Sequence, residues 1–203
     1  MADKFLDKVY GVSEPGAVRD FYDDWAGTYD DEVIENGYAT PARCAAALAS
    51  HLTPYSAPIL DFGCGTGLSG HALAALGFTV IDGVDLSAGM LETAGKRGVY
   101  RSLRQIEPGE LGAEPGDYAA IAAVGVISTG AAPADTLGAL MERLSPGGMI
   151  VFSFNDHALE DPSFEAAVAA ETGAGRARIL FRDYGDHLPG RGLKSLVYVL
   201  EKI

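Results

Sequence analysis

Asp61-Phe62-Gly63-Cys64-Gly65-Thr66-Gly67 decides how the rest of this chain is read. It directly follows an apolar run, Pro58-Ile59-Leu60, and opens a helix-like segment, Leu68 to Leu76. A strand ending in an acid, a glycine-rich turn and then a helix N-terminus make a loop of the nucleotide-binding kind. Glycines let the backbone take positive φ and let a ligand approach where a Cβ would stand. The helix start offers unpaired N–H groups and partial positive charge to an anion. A second acid, Asp85, ends the next apolar run, Phe78 to Val84. A carboxylate there can accept hydrogen bonds from the two hydroxyls of a ribose. A glycine-rich loop with no ligand is a poor account of these residues, because so many glycines cost backbone entropy.

Two patterns overlap in this stretch. Gly65-Thr66-Gly67-Leu68-Ser69-Gly70 fits the G-x-G-x-x-G of dinucleotide-binding domains. Glycine is abundant, however, with 26 in the chain, and the first glycine of that pattern should follow the strand at once. Here Phe62, Gly63 and Cys64 intervene. The other pattern is D-x-G-x-G-x-G, with Asp61, Gly63, Gly65 and Gly67 all in register. It resembles the first motif of the class I S-adenosylmethionine-dependent methyltransferases. Gly83-Val84-Asp85-Leu86-Ser87-Ala88-Gly89-Met90-Leu91 resembles that family's second motif. Leu144-Ser145-Pro146-Gly147-Gly148 resembles its turn before the fifth strand. The opening Phe21-Tyr22-Asp23-Asp24-Trp25-Ala26-Gly27-Thr28-Tyr29-Asp30 is similar to a subgroup that includes the Williams–Beuren-region methyltransferase-like proteins. Val99-Tyr100 and Asn155-Asp156 resemble that subgroup too.

The resemblance implies S-adenosyl-L-methionine as cofactor, S-adenosyl-L-homocysteine (SAH) as product, and in-line methyl transfer. It implies that Asp61 holds the methionine amino group, often through water, and that Asp85 binds the ribose hydroxyls. Gly63, Cys64, Gly65 and Gly67 then line the methionine end, with Cys64 as a packing residue rather than a nucleophile. Leu86 and Met90 form an apolar wall for adenine, although Met90 is equally well explained as an ordinary core contact. Gln105, after the third strand, is placed against the adenine amino group. Val124 and Gly125 make backbone contacts at the end of the fourth strand. Tyr22, Trp25 and Tyr29 carry two readings. They anchor an N-terminal helix on the sheet, or they cap the cofactor pocket, with the Tyr29 hydroxyl presented to the methionine carboxylate.

Methyl transfer from an activated sulfonium is chiefly a matter of orientation. A general base is needed only when the acceptor holds its proton at working pH. No indispensable base is visible, so the catalytic residues are unassigned. His157, at the sheet edge where α/β folds bind ligands, and Tyr184, near the final hairpin, are the candidates. The four histidines, His51, His71, His157 and His187, lack zinc-ligand spacing, so no metal is expected. The acids Asp23, Asp24, Asp30 and Asp31 read most simply as a solvated surface.

The 203 residues, 48% hydrophobic, suit one α/β domain with a sizeable core. A helical cap over 1–57 precedes a cofactor-binding core over 58–203. In the cap, Val18, Phe21, Tyr22, Trp25 and Tyr29 recur at helix spacing, and a second helix runs from Pro41 to Leu52 with Thr40 as N-cap. Strands are expected at Ile59–Phe62, Phe78–Val84, Val99–Leu103, Tyr118–Val124 and Met149–Phe154, with a loop over Pro108–Gly116. Ser87 caps a helix to Lys96. Pro133 and Asp135 open the next helix, and Asp161-Pro162 the last. Ala177–Tyr184 and Leu193–Leu200 should pair antiparallel, since no long helix fits between them. The expected whole is a Rossmann-like class I methyltransferase fold. It has a seven-stranded, mostly parallel sheet, a C-terminal antiparallel hairpin and helices on both faces.

The apolar runs are strand-sized, and Met1-Ala2-Asp3-Lys4 lacks a signal-peptide layout. Cys44 and Cys64, without metal-type spacing, suggest a reduced, cytoplasmic protein. A net charge of −13 opposes nucleic acids and anionic membranes and favours a small-molecule acceptor. Two other functions stay open: an NAD(P)-dependent oxidoreductase, and a non-catalytic cofactor-binding protein of the same fold. Nothing in the sequence speaks to oligomeric state.

Overall fold

The computed structural model describes residues 15–203. The reading of Met1–Lys4, and the start of the cap, lie outside the described residues. Three helices come first: α1 (Pro15–Trp25), α2 (Tyr29–Glu35) and α3 (Thr40–Ala49). Alternating units follow, namely β1 (Ile59–Phe62), α4 (Leu68–Ala75), β2 (Ile81–Asp85), α5 (Ala88–Gly95) and β3 (Ser102–Gln105). The chain continues through β4 (Ala120–Ala123), α6 (Thr136–Arg143), β5 (Met149–Asn155), α7 (Asp156–Leu159) and α8 (Pro162–Gly173). It ends in β6 (Ala177–Leu188) and β7 (Leu193–Lys202).

The seven strands form one sheet in the order β3-β2-β1-β4-β5-β7-β6. All neighbouring pairs are parallel except β5 with β7 and β6 with β7. Successive residues of a strand face opposite sides of the sheet. Along β5, Ile150, Phe152 and Phe154 therefore join the core beneath α6 and α8, while Val151 joins the core beneath α3 and α4. Because both faces are covered, the central strands are rich in apolar residues, and β1 and β4 are buried at every position, Asp61 of β1 included. The connections leave β1 towards β2 and β3 on one side, then return to β4 on the other. Ligand crevices of open α/β sheets form at such a reversal, outside the carboxyl ends of the strands.

Several expected boundaries are corrected. The aromatic stripe from Val18 to Tyr29 spans two helices, with Ala26–Thr28 as a turn between them. β2 begins at Ile81, because Phe78 packs under Tyr55 ahead of the strand, ring centroids 4.8 Å apart. β3 begins at Ser102. It is an edge strand with mostly exposed side chains, so it carries no apolar period to mark it. Thr40 is not the N-cap of α3. Ala39 holds that position, and the Thr40 hydroxyl is hydrogen-bonded to His187 Nδ1 at 2.8 Å and Ser195 Oγ at 2.9 Å. This buried network pins the C-terminal hairpin to α3, and burial lowers His187 to about 4, keeping it neutral. Ser87 does cap α5, accepting from Met90 N at 3.0 Å, and Asp161 caps α8 through Ser163 N.

Residues 106–119, between β3 and β4, contain no helix. Leu111 and Ala113 of this loop pack on the sheet where a crossover helix would otherwise lie. A loop covers less of the sheet than a helix does, and the space left over becomes part of the site described next. No helix among the described residues is long and apolar enough to cross a membrane.

Candidate cofactor crevice

The glycine loop leaves β1 in a tight turn. Gly63, Gly65 and Gly67 have φ of +65°, +53° and +87°, values that side chains rarely tolerate. At Gly63 the backbone also touches Val126, so a Cβ would stand 2.3 Å from Val126 Cγ2. At Gly65 a Cβ would meet nothing within 4 Å, because the turn there faces open space. That space is a cavity of about 840 Å³, bounded by Gly63, Gly65, Asp85, Leu86, Met90 and Val124, among others. It runs on past Ile106 and the 108–111 loop towards the starts of α6 and α8. A smaller cleft of about 40 Å³ opens on the other side of the turn. Tyr29, Tyr38, Pro41, Cys64, Thr66 and Ser69 help to line it, and it shares Gly63, Gly65 and Val124 with the larger cavity.

Asp85 lines the larger cavity beside the loop. Its Oδ2 accepts from Gly65 N at 2.8 Å and its Oδ1 from Ser87 N at 2.9 Å. Burial raises its pKa, and these backbone donors pull it back down. A carboxylate oxygen has room for a second donor, so each oxygen can still accept from the cavity.

Asp61 is sealed beneath the loop, with no exposure, and lines neither space. Its Oδ2 accepts from Ser69 Oγ at 2.6 Å and from the Tyr100 hydroxyl at 2.7 Å, while its Oδ1 has no partner. Burial pushes its pKa from an ordinary 3.8 to about 6, against the pull of Ser69 and Tyr100. A group whose folded pKa is raised favours the folded state most below its unfolded value. That advantage is lost as pH climbs through the folded value. For Asp61 the window runs from about pH 4 to 6. Asp61→Asn is therefore expected to gain stability relative to the parent as pH rises from 4 to 7. The pH-dependent part should approach about 3 kcal/mol. Urea unfolding at the two pH values measures it, and a difference that stays constant with pH would remove the buried charge from the account.

The other anticipated residues divide cleanly. Tyr22 and Tyr29 line the larger cavity with Gly63, Gly65, Asp85, Leu86, Met90 and Val124. Trp25 does not. It is 2% exposed, packed between Tyr22 and Tyr29, with its Nε1 donating to Glu32 Oε1. Cys64 lines only the smaller cleft, and Gly67 lies against Arg97 and Tyr100, away from both spaces. Gln105 is also outside, its amide nitrogen donating to the Leu86 carbonyl at 2.8 Å; Ile106 and Leu111 occupy the wall instead. His157 and Tyr184 are likewise outside the cavity. Tyr184 is half exposed and donates to Asp156 Oδ1 at 2.6 Å. No group of His, Cys, Asp and Glu among the described residues is gathered to hold a metal.

Two acids read as solvated surface hold the opening helices to the crevice. Asp23 of α1 accepts from Ser87 Oγ and from Gly89 N. Asp30 of α2 accepts from the Thr66 hydroxyl and pairs with Arg97, whose Nε donates to the Thr66 carbonyl. Sequence reading missed these contacts, along with Tyr100, Tyr38 and Val126. Tyr100 stood in a quoted motif but without a role. Asp23 and Asp30 give no local signal, because Ser87, Gly89 and Thr66 lie 36 or more residues from them.

Residues 60–150 match the family described as a methyltransferase domain. With the motif, the sheet order and the crevice on the same turn, the chain carries a methyltransferase domain in the class I methyltransferase fold. Human methyltransferase-like protein 27 is 37% identical over 145 residues, which are 70% of this chain and 59% of that protein. The chain thus spans less than two thirds of the length of this curated relative. Magnesium protoporphyrin IX methyltransferase from Synechocystis PCC 6803, solved with bound SAH, superposes with a TM-score of 0.71. It shares 15% identity, over 94% of this chain and 100% of that one. The [4+2]-cyclase SpnF superposes at 0.59 with 14% identity, covering 79% of this chain and 80% of its own. The fold therefore also carries chemistry other than methyl transfer, and function has to be argued from the site.

Proposed function

We propose that this protein transfers a methyl group from S-adenosylmethionine to a small molecule. The observation that carries the reading is Asp85. It is a half-buried carboxylate at the lip of the crevice, bonded to the glycine turn on one side and to the start of α5 on the other. When bound, the cofactor supplies a methyl on a sulfonium; the acceptor's lone pair forms the new bond while the old bonding pair stays on sulfur.

The chain's own part is to hold and orient. Asp85 receives the two ribose hydroxyls on its remaining lone pairs. Leu86, Met90, Ile106 and Leu111 sandwich the adenine. The smaller cleft, with the Gly63–Thr66 backbone, Tyr29 and Tyr38, takes the methionine end. The charge of Asp61 lies beneath that cleft and favours a cationic group above it. Val124 and Gly125, which line the cavity at the end of β4, would hold the cofactor by backbone contacts, and the apolar walls would keep water from it. No base is assigned, since neither His157 nor Tyr184 lines the cavity.

One feature favours this over an oxidoreductase. The start of α4, where a dinucleotide's pyrophosphate would sit, is covered by the Asp30 carboxylate on Thr66. An anion placed there would have to displace the Asp30 carboxylate from both Thr66 and Arg97. The net charge of −13 supports a small molecule over nucleic acid as acceptor. Isothermal titration with SAH and with NAD tests the assignment. Saturable SAH binding with no response to NAD is expected, and the reverse would overturn it.

A further inference from the structure

The larger cavity is longer than the crevice around Asp85. At about 840 Å³ it lies in the upper part of the range for small-molecule sites, roughly 300–1,000 Å³. Beyond Val126 it continues as a lobe towards Ser128, Ala131, Ala139 and Phe164, away from the glycine turn. The walls of this lobe are mostly alanine, glycine and proline with Phe164, interrupted by a few hydroxyl side chains. Among the described residues, no lysine, arginine or histidine lines any part of the cavity. The charged side chains that do are all acids: Asp85 within, and Glu110, Asp135 and Asp161 at the exposed rim.

Within the lobe stands one buried polar group. Ser128 is 7% exposed and its hydroxyl engages no described residue, although its backbone is fixed by bonds with Ala131 and Ala132. The hydroxyl therefore faces the cavity with both its donor and its acceptor capacity open to a ligand. The lobe thus offers a few neutral hydroxyls, of which Ser128 is the buried one, a largely apolar lining and a negative rim. An anion entering it would lose its water, find no countercharge in the wall and pass three carboxylates on the way.

We propose that this lobe receives the methyl acceptor, and that the acceptor is an apolar molecule bearing a hydroxyl or amine and no anionic group. This rests on the methyltransferase reading above.

Two dyes that share one skeleton test the proposal. N-Phenyl-1-naphthylamine is neutral, and 8-anilinonaphthalene-1-sulfonate adds a single sulfonate. Fluorescence titrations of both, with and without SAH, give their affinities, and calorimetry on the same samples reports SAH binding. The neutral dye is expected to bind at least tenfold more tightly than the sulfonate. Ala139→Trp, which fills the lobe, should abolish its signal. Asp135→Lys should narrow the gap between the dyes by about tenfold; this side chain caps nothing and is exposed, so the fold is spared. Equal affinities in the parent, or a neutral-dye signal that survives Ala139→Trp, would overturn the proposal even where SAH binds normally. Failure to bind SAH would instead overturn the reading beneath it.

Discussion

Asp85→Ala is expected to weaken SAH binding by about 100-fold or more while leaving the protein folded. Two losses combine. The ribose hydroxyls lose a charged acceptor, and charge-assisted hydrogen bonds contribute roughly 1.5–3 kcal/mol each. The glycine turn also loses the carboxylate that holds Gly65 N, so the loop no longer arrives in its binding shape. A 100-fold change corresponds to about 2.8 kcal/mol. Stability should suffer little, because removing a carboxylate whose pKa burial has raised relieves part of the cost of stranding two backbone N–H groups. Calorimetric titration beside His157→Ala, a residue outside the cavity, provides the comparison. Equal affinities for the two variants would take Asp85 out of the site.

Gly63→Ala should act on the fold itself. Its φ of +65° costs a residue with a Cβ about 1–2 kcal/mol. The new methyl would stand 2.3 Å from Val126 Cγ2 and 2.8 Å from Val126 Cβ, an overlap relieved only by moving backbone. Overpacking of this kind costs about 1–3 kcal/mol. The sum, roughly 2–5 kcal/mol, should lower the melting temperature by about 10 °C in a chain of this size. Adding Val126→Ala should restore part of the loss, since the Cγ contacts vanish while the Cβ contact and the backbone strain remain. A Gly63→Ala melting temperature within a degree or two of the parent would refute the turn geometry.

Much of this was legible in the chain. Parallel units buried on both faces write themselves as apolar runs, so the strands at Ile59, Ala120 and Met149 could be read directly. The glycine spacing and the acids at 61 and 85 are set by covalent distance along the turn, which makes them visible without any tertiary knowledge. Legibility fails where a residue's partner is remote. Tyr100 is apolar enough to suggest a strand, yet it leaves the sheet plane to reach Asp61, and the edge strand starts later. Thr40 has the side chain of an N-cap but spends its hydroxyl on residues 147 and 155 positions away. Gln105 is the last residue of β3 rather than the first beyond it, and the Leu86 carbonyl claims its amide. Asp23 and Asp30 are surface residues in any local view, and only the folded chain brings them to Ser87 and Thr66.

Those last two contacts carry a consequence. Asp23 and Asp30 fasten the opening helices to the two turns on either side of Asp85. Prising that segment loose strips partners from both turns together, so order in the first helices and occupancy of the crevice belong to a single equilibrium. By reciprocity, whatever tightens one must tighten the other by the same free energy.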